Sequence, residues 1–396
     1  MTNNLSKTLS IAAAFAAAFA LANCDGAPGD HPSPLLGTAE VPTMVGPLDI
    51  GGSEPTAPTS VQALSRSLIA IVDNYEPKIT LVHAQSGKVA ASFGRRGRGP
   101  GEILSIGPLQ LLSDSTLLVP DAQQARATIW NFATDATSMI ALHQRAVARN
   151  VVPSLIGYSG NQRWVSRQLP MAESRGVSVR SVSESSTLVL VDSVESRTLV
   201  MLPPRALVVA PSSNRVSRMG LGALAPAALA VCDSGFVNVD TSGVKRYSPS
   251  GALLESHRHR LGWAPLHSDA KLAYITAAVS GVADSKIRRQ MSTSLAALAN
   301  RIDRLLVGFY IAPDGSVWIR VRTENENAIV QLDKSGAQKR RVAVPSGIAV
   351  AQVGIGHYVG MRITSDAETP QFSLFTFAEG ISDRHSLWRC GQQYDY

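Results

Sequence analysis

The chain has 396 residues, of which 45% are hydrophobic, 17% charged and 6% aromatic. This composition excludes an intrinsically disordered chain, a collagen-like repeat and a small scaffold stapled by disulfides. The formal net charge of +7 is not concentrated in a dense basic block, so we predict no nucleic-acid partner.

The N-terminus has the pattern of a secretory leader. Residues 1–8 are polar, and Leu9–Ala22 is apolar apart from Ser10. The apolar stretch is shorter than the roughly 20 residues of a membrane helix but suits the core of a signal peptide. We therefore predict a signal peptide over residues 1–22 and an extracytoplasmic protein, located in the cell envelope, the periplasm or the medium.

Two processing sites compete at the end of this leader. Ala20-Leu21-Ala22 places small residues where a general signal peptidase cleaves. Leu21-Ala22-Asn23-Cys24 resembles a bacterial lipobox, which would make Cys24 the lipid-bearing first residue, although Asn23 replaces the usual small residue. Residues 23–42 are rich in Gly, Pro and Ala and are predicted to form a flexible tether. The lipid would be the only contact with the membrane.

The other two cysteines, Cys232 and Cys390, are candidates for a disulfide in an oxidising compartment. Alternatively, Cys232 is a small buried apolar residue in a strand. The sequence has no Cys-x-x-Cys and no His pair at helical spacing, so we predict no metal site and no cofactor.

Short apolar strands that end in a polar residue recur along the chain. The first two terminal aspartates lie about 48 residues apart, which is typical of propeller blades. Several copies are followed by a second strand and a turn with glycine, as at Ser86-Gly87, Ser250-Gly251 and Ser335-Gly336. The copies are Ile69–Asp73, Leu117–Asp121, Leu188–Asp192, Phe236–Asp240, Val317–Val321 and Tyr358–Arg362.

This repeat predicts an all-β protein, a six-bladed β-propeller of four-stranded antiparallel meanders over residues 43–396. One small sheet cannot bury both of its faces, but sheets arranged radially pack on one another. We expect Val41–Ile50 to add an outer strand to the last blade near Ser373–Phe377, which would close the ring. Residues 264–305 have helical periodicity and predict two helices inserted between blades four and five.

The segment Phe93–Ile103 matches a known family signature. An aromatic residue followed by Gly-Arg-x-Gly-x-Gly-Pro-Gly-Glu is found here as Phe93, Gly94, Arg95, Gly97, Gly99, Pro100, Gly101 and Glu102. The chain, from about 45 to 390, thus resembles a bacterial family of six-bladed β-propellers with NHL-like repeats, many of them lipoproteins. The resemblance implies the fold and little about activity.

The same segment holds the candidate binding residues Arg95, Arg96 and Arg98, a cationic rim for a phosphate or carboxylate group. The alternative is that the glycines serve turn geometry and Glu102 pairs with one arginine.

Other polar residues are predicted to be structural. We expect the strand-terminal aspartates to bond their own turns and the pair His257 and His259 to lie on an exposed edge. No Gly-x-Ser-x-Gly elbow is present, and no catalytic residue is assigned.

The sequence therefore favours a monomeric, non-catalytic binding module for a partner protein, peptide or glycan. The alternative is a hydrolase or lyase with Ca²⁺ or Zn²⁺ in a central channel.

Overall fold

The structure is a computed structural model that describes part of the chain. The predicted signal peptide, Cys24, Asp192, His259 and Cys390 lie outside this part. The described residues are 39–48, 58–107, 109–113, 115–121, 123–124, 126–132, 136–141, 151–158, 164–170, 178–185, 187–191, 196–202, 205–212, 215–220, 228–232, 234–240, 243–258, 272, 275–276, 279, 282, 284–299, 308–323, 326–333, 336–362, 371–377 and 394–395.

The described chain is built mainly of short strands, with the helix Ser285–Ala299 between the strands Leu253–His257 and Gly308–Ile311. The strands are Thr43–Pro47 (β1), Pro58–Ala63 (β2), Leu68–Asp73 (β3), Lys78–His83 (β4), Val89–Phe93 (β5), Gln110–Ser113 (β6), Thr116–Asp121 (β7), Arg126–Asn131 (β8), Ala136–Ala141 (β9), Val151–Tyr158 (β10), Trp164–Pro170 (β11), Arg180–Glu184 (β12), Thr187–Val191 (β13), Ser196–Met201 (β14), Arg205–Ser212 (β15), Arg215–Gly220 (β16), Ala228–Cys232 (β17), Gly235–Asp240 (β18), Gly243–Tyr247 (β19), Leu253–His257 (β20), Gly308–Ile311 (β21), Val317–Thr323 (β22), Glu326–Leu332 (β23), Gln338–Ala343 (β24), Ala349–Val353 (β25), His357–Arg362 (β26), Gln371–Thr376 (β27) and Tyr394–Asp395 (β28).

The strands form seven antiparallel sheets in the described part of the chain. Five have four strands: β2–β5, β6–β9, β10-β11-β13-β14, β21–β24 and β1-β27-β26-β25. A sixth has five strands in the order β20-β19-β18-β17-β28, and the seventh has three, β12-β15-β16. The prediction of six four-stranded blades is therefore corrected to five. It was wrong because β28 adds a fifth strand to one sheet. In addition, β12 and the hairpin β15–β16 form a separate three-stranded sheet outside the repeat.

The core lies between the sheets rather than within any one of them. One cluster joins β17–β19 to β21–β23, and others join β21–β24 to β25–β27, and β25–β27 to β2–β4. Two more join β2–β5 to β6–β8 and β13–β14 to β17–β19. Strands such as β3 and β17 are buried at every position because neighbouring sheets cover both of their faces. This side-by-side packing makes the chain an all-β propeller.

The first described strand, β1, shares a sheet with β25–β27. Strand β1 pairs antiparallel with β27, with Thr43 opposite Thr376 and Pro47 opposite Ser373. The predicted closure of the ring by residues 41–50 is thus confirmed. Just before β1, Glu40 bridges to Val342 in the neighbouring sheet, and its carboxylate accepts a hydrogen bond of 2.9 Å from Arg340 Nε. Glu40, which was assigned to the flexible tether, is therefore held against the sheet β21–β24.

In three of the sheets, the turn between the third and the fourth strand contains a glycine that lies at the boundary with the preceding sheet. Gly87, Gly251 and Gly336 have φ of +69°, +86° and +77°. A Cβ on Gly251 would lie well inside 3.0 Å of the Leu199 carbonyl oxygen, and one on Gly336 would collide with Arg258 in the same way. All three positions favour glycine for the backbone conformation, and Gly251 and Gly336 also require it for the close approach of the preceding sheet's outer strand.

The helix Ser285–Ala299 packs on the three-stranded sheet, where it contacts β12 and β15. Its buried side chains are Met291, Leu295, Leu298 and Ala299. In the predicted preceding helix, Ile275 and Val279 are helical and buried. The helix lies between β20 and β21 along the chain, and its partner is the irregular sheet rather than a regular blade.

In the described part of the chain, the insertions into the repeat leave from one edge of the propeller, here named the connection edge. In an antiparallel meander the end of the second strand, the start of the third and the end of the fourth share one edge. The segment after β5, the strand β12, the hairpin β15–β16 and the helix are all inserted at these points. The connection edge therefore carries the parts of the chain that depart from the repeat.

The close approach at Gly251 predicts a large cost for a side chain there. We expect Gly251→Ala to lower the free energy of unfolding by about 3 kcal/mol, through φ strain and collision together. Gly347 is the matched control, because it has a φ of +73° but no atom lies within 4 Å of the position that a Cβ would take there. Gly347→Ala should cost about 1 kcal/mol in chemical denaturation. Equal losses for the two variants would contradict the close-approach argument.

Cys232 is fully buried and disulfide-bonded. Because β28 pairs with β17, placing Tyr394 opposite Leu229, we expect its partner to be Cys390, four residues before Tyr394. Peptide mapping under non-reducing conditions should yield a peptide that joins residues 232 and 390, and Cys390→Ser should lose about 2–4 kcal/mol of stability. Cys24→Ser is the control and should leave stability unchanged. A peptide that joins residues 24 and 232 would contradict the pairing.

Candidate functional site

The glycine-rich segment 94–107 crosses from the end of β5 to the start of β6 along the connection edge. Gly94 turns the chain with φ of +98°, in a place where a Cβ would lie 2.8 Å from the Pro77 carbonyl oxygen. The chain then doubles back, and the Ile103 N–H donates to the Arg95 carbonyl at 2.8 Å. The segment is thus a compact loop with its own backbone hydrogen bonds.

Glu102 fixes this loop from within. Its Oε2 accepts a hydrogen bond of 2.6 Å from the Gly99 N–H, and its Oε1 lies 3.1 Å from Arg95 Nη2. The carboxylate occupies the space where a side chain at Gly97 would lie. These contacts agree with the alternative interpretation, in which the glycines serve turn geometry and Glu102 pairs with one arginine.

The turn of the next sheet holds the other side of the loop. Gln124 Nε2 donates to the Gly97 carbonyl at 3.0 Å and to Asp121 Oδ2 at 2.6 Å. Asp121 is 2% exposed, and it also accepts the N–H groups of Gln123 at 3.1 Å and Leu104 at 2.7 Å. The strand-terminal aspartate is thus a structural acceptor for its own turn, as predicted, and for the glycine-rich segment as well.

The turn of the first sheet supports the loop in a similar way. Asp73 Oδ1 accepts the Tyr75 N–H at 2.7 Å, and Arg96 donates through Nη2 to the Tyr75 carbonyl. Asn74 Oδ1 accepts the Ile106 N–H at 2.7 Å. Two neighbouring sheets therefore clamp the glycine-rich segment between their turns, so the exposed side chains on it start from a fixed backbone.

The predicted binding residues Arg95, Arg96 and Arg98 are brought together on this loop and are exposed to solvent; we name them the arginine rim. The Arg95 side chain is 76% exposed although it pairs with Glu102. Tyr75, also at this edge, is 41% exposed. On a fixed backbone, guanidinium groups can donate bidentate hydrogen bonds to a partner, and an aromatic ring can stack on it.

The two histidine sites differ in burial. His257 is partly exposed, with Nε2 3.9 Å from Glu255 Oε2, as expected for an outer strand. His357 is 2% exposed, and burial lowers its pKa to about 4. Its Nδ1 lies 3.1 Å from the Ile355 carbonyl, whereas its Nε2 is buried without a hydrogen-bond partner. Among the described residues, no group of three or more His, Cys, Asp or Glu is placed to hold a metal ion.

Sequence reasoning missed one charged residue near the connection edge. Arg320 is 4% exposed, and its guanidinium donates to Asn327 Oδ1 at 3.3 Å and to the Ile348 carbonyl at 3.2 Å. The signal was present in the sequence, because Arg320 interrupts the apolar run Val317–Val321. A charged residue in a strand that is covered on both faces calls for a specific partner.

The buried His357 predicts acid sensitivity. Its pKa in the folded state is about 4, below the ordinary 6.5, so between these values the unfolded chain binds the proton more readily. Stability is therefore complete above pH 6.5 and falls by about 3 kcal/mol as the pH drops to 4. Denaturation at several pH values should show a shallower acid loss for His357→Gln. The control is His83→Gln at an exposed position, and an identical acid loss in the wild type and His357→Gln would contradict the prediction.

Comparison with known proteins assigns no family to this chain. No family model and no curated protein matches the chain. Among solved structures, an exported protein from Bacteroides fragilis is 9% identical, with 85% of this chain and 95% of that chain covered and a TM-score of 0.43. Regucalcin, a calcium-binding protein from Agrobacterium tumefaciens, is 10% identical with 87% and 98% covered and a TM-score of 0.39.

A catalytically inactive virginiamycin B lyase from Staphylococcus aureus, solved with quinupristin, is 10% identical, with 83% and 97% covered and a TM-score of 0.38. Such similarity is too low to carry an argument about activity. No helix in the described ranges is both long and apolar enough to cross a membrane.

Proposed function

We propose that this protein is an extracytoplasmic binding propeller, carried on an N-terminal tether, that captures an acidic peptide segment of a partner protein. The observation that supports this function is the arginine rim. Three exposed arginines, with the exposed ring of Tyr75 beside them, stand on a loop clamped by Glu102 and Gln124. Because the backbone is fixed before binding, little conformational entropy is lost when a ligand docks.

The class of ligand follows from the charge at the connection edge. Arginine favours carboxylate and phosphate groups because its planar guanidinium donates two parallel hydrogen bonds. The rim lies on an exposed loop rather than in a deep cavity, which suits a segment of a macromolecule better than a small molecule buried on all sides. An acidic stretch of polypeptide meets both conditions, and its binding would weaken with salt.

The tether defines where such capture would take place. If Cys24 carries the lipid, the propeller would be held at the membrane surface through about fifteen residues, which span at most about 50 Å when extended. If cleavage follows Ala22 instead, the same propeller would be free in the periplasm or medium. Mass spectrometry of the mature N-terminus distinguishes a lipid-bearing Cys24 from an unmodified Asn23.

A hydrolase or lyase with a metal in the central channel is the alternative hypothesis. Structural similarity to regucalcin and to the virginiamycin B lyase is too low to transfer chemistry to this chain. Binding to the arginine rim is therefore the function that we test first.

The direct test uses a fluorescent oligoglutamate peptide as the probe and anisotropy as the measurement. Wild-type protein should bind the peptide with an affinity that falls as salt rises, and Arg95→Gln/Arg96→Gln/Arg98→Gln should bind at least about tenfold more weakly. The control removes three exposed charges elsewhere, Arg66→Gln/Lys88→Gln/Lys339→Gln, and has the same net charge. Equal weakening in both variants would show that only net charge matters and would overturn the proposal.

A further inference from the structure

Apolar side chains are exposed where the predicted tether meets the propeller. Among the described residues, eight large apolar side chains are exposed, and three of these lie within residues 41–45: Val41 at 82%, Met44 at 57% and Val45 at 38%. Pro47, at the end of β1, is exposed as well. We name Val41, Met44, Val45 and Pro47 the tether patch. Single exposed apolar residues are ordinary on a protein, whereas a contiguous group of them marks a surface of contact.

The backbone of the tether patch is held at both of its ends. Glu40 donates its N–H to the Arg341 carbonyl at 2.9 Å, and its own carbonyl accepts the Ala343 N–H at 2.8 Å. After β1, the buried Leu48 donates its N–H to the Phe372 carbonyl at 3.0 Å. The apolar side chains therefore lie on a fixed segment, and little backbone entropy is lost when a partner binds there.

The outer edge of β1 is poorly suited to pairing with another strand. Met44 is opposite Phe375 and Gly46 is opposite Leu374, so Val45 is an extra residue with no register partner in β27. Such a bulge interrupts the ladder and twists an outer strand away from edge-to-edge contact. The bulge therefore disfavours an added strand, from a peptide or a second copy, and favours a surface that needs no backbone pairing.

An exposed lysine lies near each end of the tether patch. The turn that contains Lys88 approaches Pro47, because a Cβ on Gly87 would lie 3.4 Å from the Pro47 carbonyl oxygen. At the other end, Glu40 forms the bridge to the sheet whose outer strand carries Lys339, and its carboxylate is paired with an arginine of that strand. Apolar side chains flanked by lysines are the combination that binds the interface of an anionic bilayer.

The predicted tether would bring a membrane to this side of the propeller. About fifteen residues separate Cys24 from Ala39, the first described residue, and the tether patch begins two residues later. A lipid on Cys24 would thus keep the patch within about 50 Å of the bilayer. At this range a weak contact is supported by a high effective concentration of lipid.

We propose that the tether patch is a membrane-docking surface. Its apolar side chains enter the headgroup region of an anionic phospholipid bilayer, and Lys88 and Lys339 contact the lipid phosphates. This inference goes beyond peptide capture at the arginine rim and shares with it only the extracytoplasmic tether. It adds a second membrane contact to the lipid, which the sequence predicted as the only one.

The experiment measures flotation of the protein with vesicles of phosphatidylethanolamine and phosphatidylglycerol. It uses the mature chain that begins at Asn23 and carries no lipid, so that binding depends on the folded surface alone. Wild-type protein should bind reversibly, and Val41→Ser/Met44→Ser should bind at least about tenfold more weakly, because less apolar area enters the bilayer.

The matched control removes two exposed apolar side chains from another outer strand. Leu253 and Leu254 in β20 are 56% and 55% exposed, and the same strand carries Glu255. Leu253→Ser/Leu254→Ser should therefore bind the vesicles as the wild type does. Equal weakening in the two double variants, or no binding by the wild type, would overturn the docking surface.

A second pair of variants tests the lysines. Lys88→Gln/Lys339→Gln should weaken binding to these vesicles about tenfold and leave binding to phosphatidylcholine vesicles unchanged. Arg66→Gln/Lys286→Gln removes two exposed charges elsewhere and has the same net charge. Equal weakening by both variants would show that only net charge matters and would overturn the role of the two lysines.

Two further outcomes would assign the patch or the membrane contact differently. If Arg95→Gln/Arg96→Gln/Arg98→Gln loses vesicle binding and Val41→Ser/Met44→Ser keeps it, the rim binds the bilayer, and the docking surface is overturned. If light scattering shows that Val41→Ser/Met44→Ser separates a wild-type dimer without changing vesicle binding, the patch is an interface between copies, and membrane docking is again overturned. The oligoglutamate assay contains no vesicles, so failure of the proposed function is observed separately.

Discussion

The structure depends on one constraint: a short antiparallel sheet has two apolar faces and cannot cover both by itself. Strands such as β3 and β17 are buried along their whole length, and the hydrophobic clusters that bury them are shared between successive sheets. Each sheet therefore depends on its neighbours to bury its apolar faces. The pairing of β1 with β27 extends this dependence to the chain ends, because it places N-terminal and C-terminal residues in the same sheet.

The same constraint decides where function is found. Residues that line the sheet boundaries are committed to packing, so variation is confined to the connections. Here the connection edge carries the glycine-rich loop, the three-stranded sheet and the helix that packs on it. Asp73 and Asp121 have structural roles at this edge, because their carboxylates accept hydrogen bonds from backbone N–H groups of the turns and the loop. The arginines of the rim lie on the exposed side of this loop, where Arg95 pairs with Glu102 and Arg96 donates to the Tyr75 carbonyl.

Buried polar groups mark two places where packing alone does not explain the residue. His357 keeps a ring nitrogen without a partner, and burial lowers its pKa, so it links the fold to acid conditions. Arg320 is held by neutral acceptors between the sheets β21–β24 and β25–β27. At the boundary between the first two sheets, the neutral side chain of Asn74 makes the bridging hydrogen bond instead. Both residues carry a stability cost that an apolar side chain of similar size would avoid.

The sequence by itself determined the class of fold, the closing strand and the roles of single residues in turns. Local patterns carry this information: apolar strands ending in Asp73 or Asp121, and a glycine signature whose Glu102 lies within reach of Arg95. Only the tertiary structure decided the number of four-stranded sheets, the pairing of β12 with β15 and the burial of Arg320. Strand exchange between distant segments and the depth of a side chain depend on contacts between residues far apart in the chain, and no local pattern records those contacts.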